Sequence, residues 1–166
     1  MTESDLHKKL LARAEKLLNL RPHSREELAV KLTGLGGEEE IRAVLNHLQE
    51  VELLNDVKYA YNLALYRLAQ QGWGPDKVRE DLLRRKVAPE HIEAALDGVT
   101  RDVGFEAILA DYVDRHCRKS GVPSEHEGVQ KLFQHLQRRG FPEDQIRRTL
   151  RQKVPPAVWR RFETGE

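Results

Sequence analysis

The chain has 166 residues, enough for one compact domain or a short run of small modules. Apolar residues make up 39% and charged residues 33%, a balance that suits thin amphipathic helices rather than one thick core. A net charge of +1 predicts by itself neither nucleic-acid nor membrane binding, and the lone Cys117 rules out an internal disulfide.

The N-terminal segment Met1 to Leu11 carries Glu3, Asp5, Lys8 and Lys9 without the apolar stretch of a secretory signal. No apolar run approaches the roughly 18 residues of a spanning helix. The expectation is a soluble, cytoplasmic, monomeric protein with no membrane partner.

Nothing reads as strand, because alternating apolar and polar runs are missing. The first helices are expected over 4–20, 24–33 and 38–50. Ser24 and Glu27 have the spacing of a capping box, and Gly34, Gly36 and Gly37 break the chain before the acidic run Glu38 to Glu40, which suits a helix N-terminus. The next three helices are expected over 55–71, 75–86 and 89–98, with Pro75 and Pro89 as first helical residues. In the helix 55–71, Val57, Ala60 or Tyr61, Ala64 and Leu68 form an apolar stripe that Tyr59, Leu63 and Tyr66 widen. The last three are expected over 104–119, 124–139 and 142–152, opened by a second capping-box spacing at Ser124 and Glu127 and by Pro142. Val99 to Gly104 reads as the flexible joint, and a short tail with Pro155, Pro156 and Trp159 closes the chain.

An echo of apolar spacing joins these helices into three units. Leu28, Leu32, Ile41 and Leu45 are matched by Val78, Leu82, Ile92 and Leu96, and again by Leu132, Leu136, Ile146 and Leu150. An offset of about 50 residues fits stacked helical modules. The expected boundaries are 1–53, 54–101 and 102–153, with a tail at 154–166. Arrays of this kind make surfaces more than pockets.

No catalytic constellation assembles in the sequence. Gly34 to Gly37 lacks the spacing and the lysine of a phosphate loop. His116 and Cys117 are adjacent and diverge on a helix, and no second cysteine completes a zinc set. Asp111 and Asp114 share a helix side without the marks of an acid and base pair. No catalytic residue, metal or cofactor is expected, and an enzyme is the least favoured reading.

The basic clusters say more. Residues 1–100 carry 15 Lys and Arg against 17 Asp and Glu, while 101–166 carry 13 against 10, so positive charge gathers late in the chain. Arg84, Arg85 and Lys86 close one middle helix, and Arg138 and Arg139 stand at the equivalent point of the next unit. Arg147, Arg148, Arg151 and Lys153 follow opposite Ile146 and Leu150. Cations at helix C-termini complement the dipole without any partner, but their recurrence at equivalent places is also what a stripe facing an anionic partner requires. These nine residues are the candidate contact surface.

Several stretches resemble the RecX family of recombination regulators. They are Arg21-Pro22-His23-Ser24 with Glu27 and Leu28; Leu54-Asn55-Asp56 through Tyr59 and Ala60; Tyr66-Arg67, Gly72 and the helix with Val78 and Leu82; and Arg138-Arg139-Gly140-Phe141. They fall in order across roughly residues 10–150. The resemblance implies an all-α, elongated and curved array of three tandem three-helix modules. It also implies binding to the RecA recombinase on single-stranded DNA, limiting filament growth, ATP hydrolysis and strand exchange in homologous recombination and DNA repair, with no catalytic residues. Single- or double-stranded DNA is a further expected partner, and a stand-alone nucleic-acid-binding helical repeat is the alternative.

Overall fold

The computed structural model describes residues 2–165. They form ten helices: α1 (Glu3–Leu20), α2 (Arg25–Leu32), α3 (Glu38–Glu50), α4 (Asp56–Leu65), α5 (Pro75–Arg84), α6 (Pro89–Asp102), α7 (Phe105–Ser120), α8 (His126–Arg138), α9 (Glu143–Lys153) and α10 (Pro156–Thr164). A single wide π turn, Tyr66–Gln70, continues α4. Among the described residues no strand forms beyond the lone bridge of Thr33 with Gly36. The fold is all-α and built from three-helix modules.

The twelve echo positions are all buried. The chain gathers into two compact units. The first runs to Asn62 and takes in Asp81–Ala95; the second comprises Leu63–Glu80 and the chain from Leu96 onward.

In the first unit α1, α2 and α3 enclose Leu10, Ala14, Leu28, Leu32, Val44, Leu45 and Leu48. Ser24 caps α2 as its spacing predicts: its hydroxyl accepts from the Glu27 N–H at 3.1 Å, and the Glu27 carboxylate accepts from the Ser24 N–H at 3.2 Å. The same buried hydroxyl donates to the carbonyl of Arg85 at 2.5 Å. Asp56 accepts from the Arg25 N–H at 2.8 Å and so satisfies another open donor of the α2 N-terminus. The Arg25 guanidinium reaches Asn46 on α3 at 2.8 Å.

In the second unit α7, α8, α9 and α10 surround Leu109, Val113, Val129, Leu132, Phe133, Leu136, Ile146, Leu150 and Trp159. The loop between the π turn and α5 lies directly on the loop after α8. The Gly74 N–H donates to the Arg139 carbonyl at 2.6 Å, and the Asp76 N–H donates to the Gly140 carbonyl at 3.1 Å. A Cβ on Gly74 would fall 2.1 Å from the Gly140 carbonyl carbon, so only glycine permits this approach.

Several expectations from sequence need correction. The tail folds as α10, with Trp159 only 3% exposed. Val99 is buried and α6 continues to Asp102, so the expected joint is largely helix. Ser124 caps nothing: the N-cap of α8 is Glu125, with no side-chain cap bond. Pro142 is the N-cap of α9, one place before its expected role. Along α4 and the π turn the stripe holds at Ala60, Ala64 and Leu68, but Val57 and Tyr66 are exposed. Tyr59 packs as expected, its hydroxyl at the rim accepting from Arg85 at 3.3 Å.

Candidate anion-binding surface

The nine candidate cations divide between the two units. Arg84, Arg85 and Lys86 belong to the first. Arg84 lies 3.5 Å from the buried Asp81. Arg85 is half-buried, with its guanidinium 3.3 Å from Asp81 and donating to the Tyr59 hydroxyl, while its carbonyl serves Ser24. This side chain holds α5 to its neighbours. Lys86 is exposed and adopts φ +59°, the left-handed conformation common just past a helix end.

Arg138, Arg139, Arg147, Arg148, Arg151 and Lys153 belong to the second unit. Arg147 pairs with Glu143 at 2.9 Å and lies over the rings of Phe133 and Phe162. Arg148 pairs with Asp144 at 3.1 Å and Glu106 at 3.3 Å, and Lys153 pairs with Asp114 at 2.8 Å. Exposed pairs of this kind contribute only about 0–1 kcal/mol each, so they exchange readily for an outside anion. Arg138 and Arg151 are exposed and take no partner among the described residues. Arg139 turns inward: it donates to the Gln71 carbonyl at 2.8 Å and its guanidinium lies 5.2 Å from the Tyr112 ring centre.

Arg139 thereby joins a cleft that sequence reading did not anticipate. The cleft holds about 400 Å³ and is lined by Gln70, Gln71, Tyr112, Arg115, His116, Arg118, Lys119 and Arg139. Four of these are cations and none is a carboxylate. The π turn and the residue after it supply the glutamines. Tyr112, Arg115, His116 and Lys119 fall on one face of α7 at i, i+3, i+4 and i+7. Arg115 is held in place by Asp111 at 2.9 Å and by the Ala69 carbonyl at 3.3 Å. Arg118 and Lys119 are exposed and take no partner among the described residues.

Two rings, Tyr112 and His116, line the cleft, and His135 packs against both without lining it. The Tyr112 hydroxyl lies 2.8 Å from His135 Nε2, and the His116 and His135 rings stack with centres 5.2 Å apart. Gly72, at φ +62°, lets the backbone run against Tyr112: a Cβ there would sit 2.2 Å from the ring. Burial lowers the His135 pKa, and His116 and Arg139 push it further down, which favours the neutral imidazole. Burial raises the pKa of the Cys117 thiol, against a nucleophilic role. A second cleft of about 560 Å³ shares His116, but Glu125, Glu127 and Lys131 make its lining mixed in sign. Among the described residues no three His, Cys, Asp or Glu side chains gather as a metal set. The same residues include no helix long and apolar enough to cross a membrane. The signal that could have revealed the cationic cleft was available: the spacing of Tyr112, Arg115, His116 and Lys119.

Residues 55–96 match the family model for the second three-helix domain of RecX, and residues 108–150 match that for the third. A Regulatory protein RecX of Stenotrophomonas maltophilia (strain R551-3) is 38% identical over 140 residues, 84% of this chain and 83% of its own length. The chain belongs to the RecX family. A Regulatory protein RecX of Prosthecochloris aestuarii (strain DSM 271 / SK 413) is 33% identical, with coverage of 90% of this chain and 96% of the relative. The fold is similar to the crystal structure of RecX from Lactobacillus salivarius, with TM-score 0.74 over 97% of this chain and 99% of the other, at 20% identity. Within RecX, the elements that carried the resemblance have packing roles in this structure. Ser24 and Glu27 cap α2, Asp56 braces it, Tyr59 anchors Arg85, and Arg139 with Gly140 receives the Gly74 loop.

Proposed function

We propose that this RecX-family protein regulates homologous recombination by binding the RecA filament on single-stranded DNA. On this reading it restrains filament extension, ATP hydrolysis and strand exchange without catalysis of its own. The observation that carries the reading is family membership across more than four-fifths of the chain, since the relatives are named regulatory proteins. The exposed cations of α8 and α9 add a physical reason, because a filament presents repeated anionic surface and linked weak contacts gain through effective concentration. Such binding alters the filament only through unequal affinity for its states.

The contact surface we assign is Arg138, Arg147, Arg148, Arg151 and Lys153, with Arg84 and Lys86 as a second patch. Arg138→Glu with Arg151→Glu is the cleanest probe, since both side chains are exposed and neither has a hydrogen bond or ion pair among the described residues. Wild-type protein is expected to slow RecA ATP hydrolysis on single-stranded DNA in proportion to its concentration. The double variant should need about tenfold more protein for the same effect, a loss of about 1.4 kcal/mol, with an unchanged circular dichroism spectrum. Equal inhibition by both proteins would remove these residues from the contact. A wild type that neither slows RecA nor sediments with its filaments would remove the function.

A further inference from the structure

We propose that the cationic cleft of the second unit is a binding site for a nucleoside phosphate, carried either by a single strand or by a free nucleotide. Its phosphate lies on Arg118 and Lys119, and its base lies against the His116 ring beside the Gln70 amide. The proposal deepens the filament reading, on which its biological role rests, but the binding itself needs no recombinase.

Three observations carry it. The charge of the cleft is one-sided: Arg115, Arg118, Lys119 and Arg139 line it without a single carboxylate. Arg115 and Arg139 are committed to the protein, through Asp111 with the Ala69 carbonyl and through the Gln71 carbonyl. They therefore set the potential of the site. Arg118 and Lys119 are exposed and have no partner among the described residues, so a phosphate oxygen meets them without breaking a bond there.

The wall is also suited to a planar ligand. Tyr112 and His116 line the cleft as an aromatic face, each ring stacked on His135, and Gln70 is exposed with no partner for its amide among the described residues. Stacking platforms beside cations are how single strands are held without sequence preference. A glutamine amide offers both a donor and an acceptor to a base edge. A volume of about 400 Å³ lies within the roughly 300–1,000 Å³ common for small-ligand sites. Finally, the backbone that supplies the glutamines is irregular: Gln70 ends the π turn Tyr66–Gln70, and Gln71 precedes Gly72 at φ +62°.

The test uses the full chain and a fluorescent thymidine oligonucleotide, followed by anisotropy at about 50 mM salt and upward. Unlabelled thymidine monophosphate and inorganic phosphate serve as separate competitors. Arg118→Ala with Lys119→Ala should weaken binding at least about tenfold and lower the log–log salt slope by about 1.4, the counterions of two single-strand phosphates. His116→Ala should weaken binding while leaving the salt slope unchanged. Lys8→Ala with Lys9→Ala, on α1, should change neither. Competition by the monophosphate at millimolar concentration supports the site with a free nucleotide as its ligand; strand binding without such competition supports it with a strand.

Wild-type binding that Arg118→Ala with Lys119→Ala leaves intact overturns the proposal, as does inorganic phosphate competing as well as the nucleotide. Absence of any strand or nucleotide binding overturns it too. RecA ATPase inhibition, measured on the same samples, separates the two readings. Inhibition without nucleotide binding defeats the cleft alone, and nucleotide binding without inhibition defeats the filament reading alone.

Discussion

Ser24 makes bonds in opposite directions from one buried hydroxyl, accepting from Glu27 within its own helix and donating to Arg85 across 61 residues of sequence. Its capping role was legible, because the Ser and Glu spacing needs only local geometry. The long-range bond was not, because nothing in the spacing of Ser24 and Arg85 marks them as neighbours. The same contrast separates the cations. Arg84, Arg85 and Lys86 look alike in sequence, yet Arg85 is held by Asp81 and Tyr59 while Lys86 is exposed. Replacing Ser24 by alanine removes the cap and leaves the partly buried Arg85 carbonyl without its donor. Ser24→Ala should therefore lose about 2 kcal/mol in urea denaturation. A loss under about 0.5 kcal/mol, the bottom of the range for caps alone, would mean that the Arg85 bond contributes nothing.

At the scale of elements, amphipathic helices announce themselves and their ends do so unevenly. The echo residues placed the core because periodicity reports which face is buried. The sequence does not mark the helix of the tail, because Pro155 and Pro156 read equally as a stop and as a first turn. What decides is tertiary: Trp159 and Phe162 pack beside Phe133 on α8, with the Trp159 and Phe162 ring centres 5.1 Å apart. Ser124 failed as a cap because α8 begins later, at His126, where position rather than residue type sets which N–H groups are open. Trp159→Ala should cost about 3–5 kcal/mol, as large-to-small core changes do. Hydrogen exchange should register the loss in the amides of α8 and α10. Exchange unchanged in those helices would show that α10 adds no stability to the core.

For the whole molecule, the net charge of +1 hides both the late basic excess and the placement of two inward histidines, one in each unit. His23 is 4% exposed, and its Nδ1–H donates to the Arg21 carbonyl at 2.8 Å. Burial first, with further effects from neighbouring charges, lowers the pKa of His23, and burial with His116 and Arg139 lowers that of His135. Between the unfolded value of about 6.5 and the lower folded values, the unfolded chain binds more protons, so stability falls as pH falls through that window. Glu27 contributes in the same direction at lower pH. Burial pushes its carboxyl up, but the bonds from Arg21 and Ser24 outweigh that and leave its pKa lowered. Urea midpoints should drop between about pH 7 and pH 5, and His135→Gln should flatten that fall. A slope identical to the wild type would exclude His135 as a contributor.

The π turn has a consequence in the currency of insertions and deletions. Such a turn carries one residue more than an α turn would close, here with the Gln71 N–H bonded to the Tyr66 carbonyl five places back. Deleting one residue between Tyr66 and Gln70 would let the backbone relax to regular α-helix. Because the turn already absorbs one extra residue, that deletion would keep the residues on either side in phase, where the same deletion in a regular α-helix would rotate everything after it by about 100°. A lineage could thus lose the π turn by a single codon deletion and keep the later elements in register.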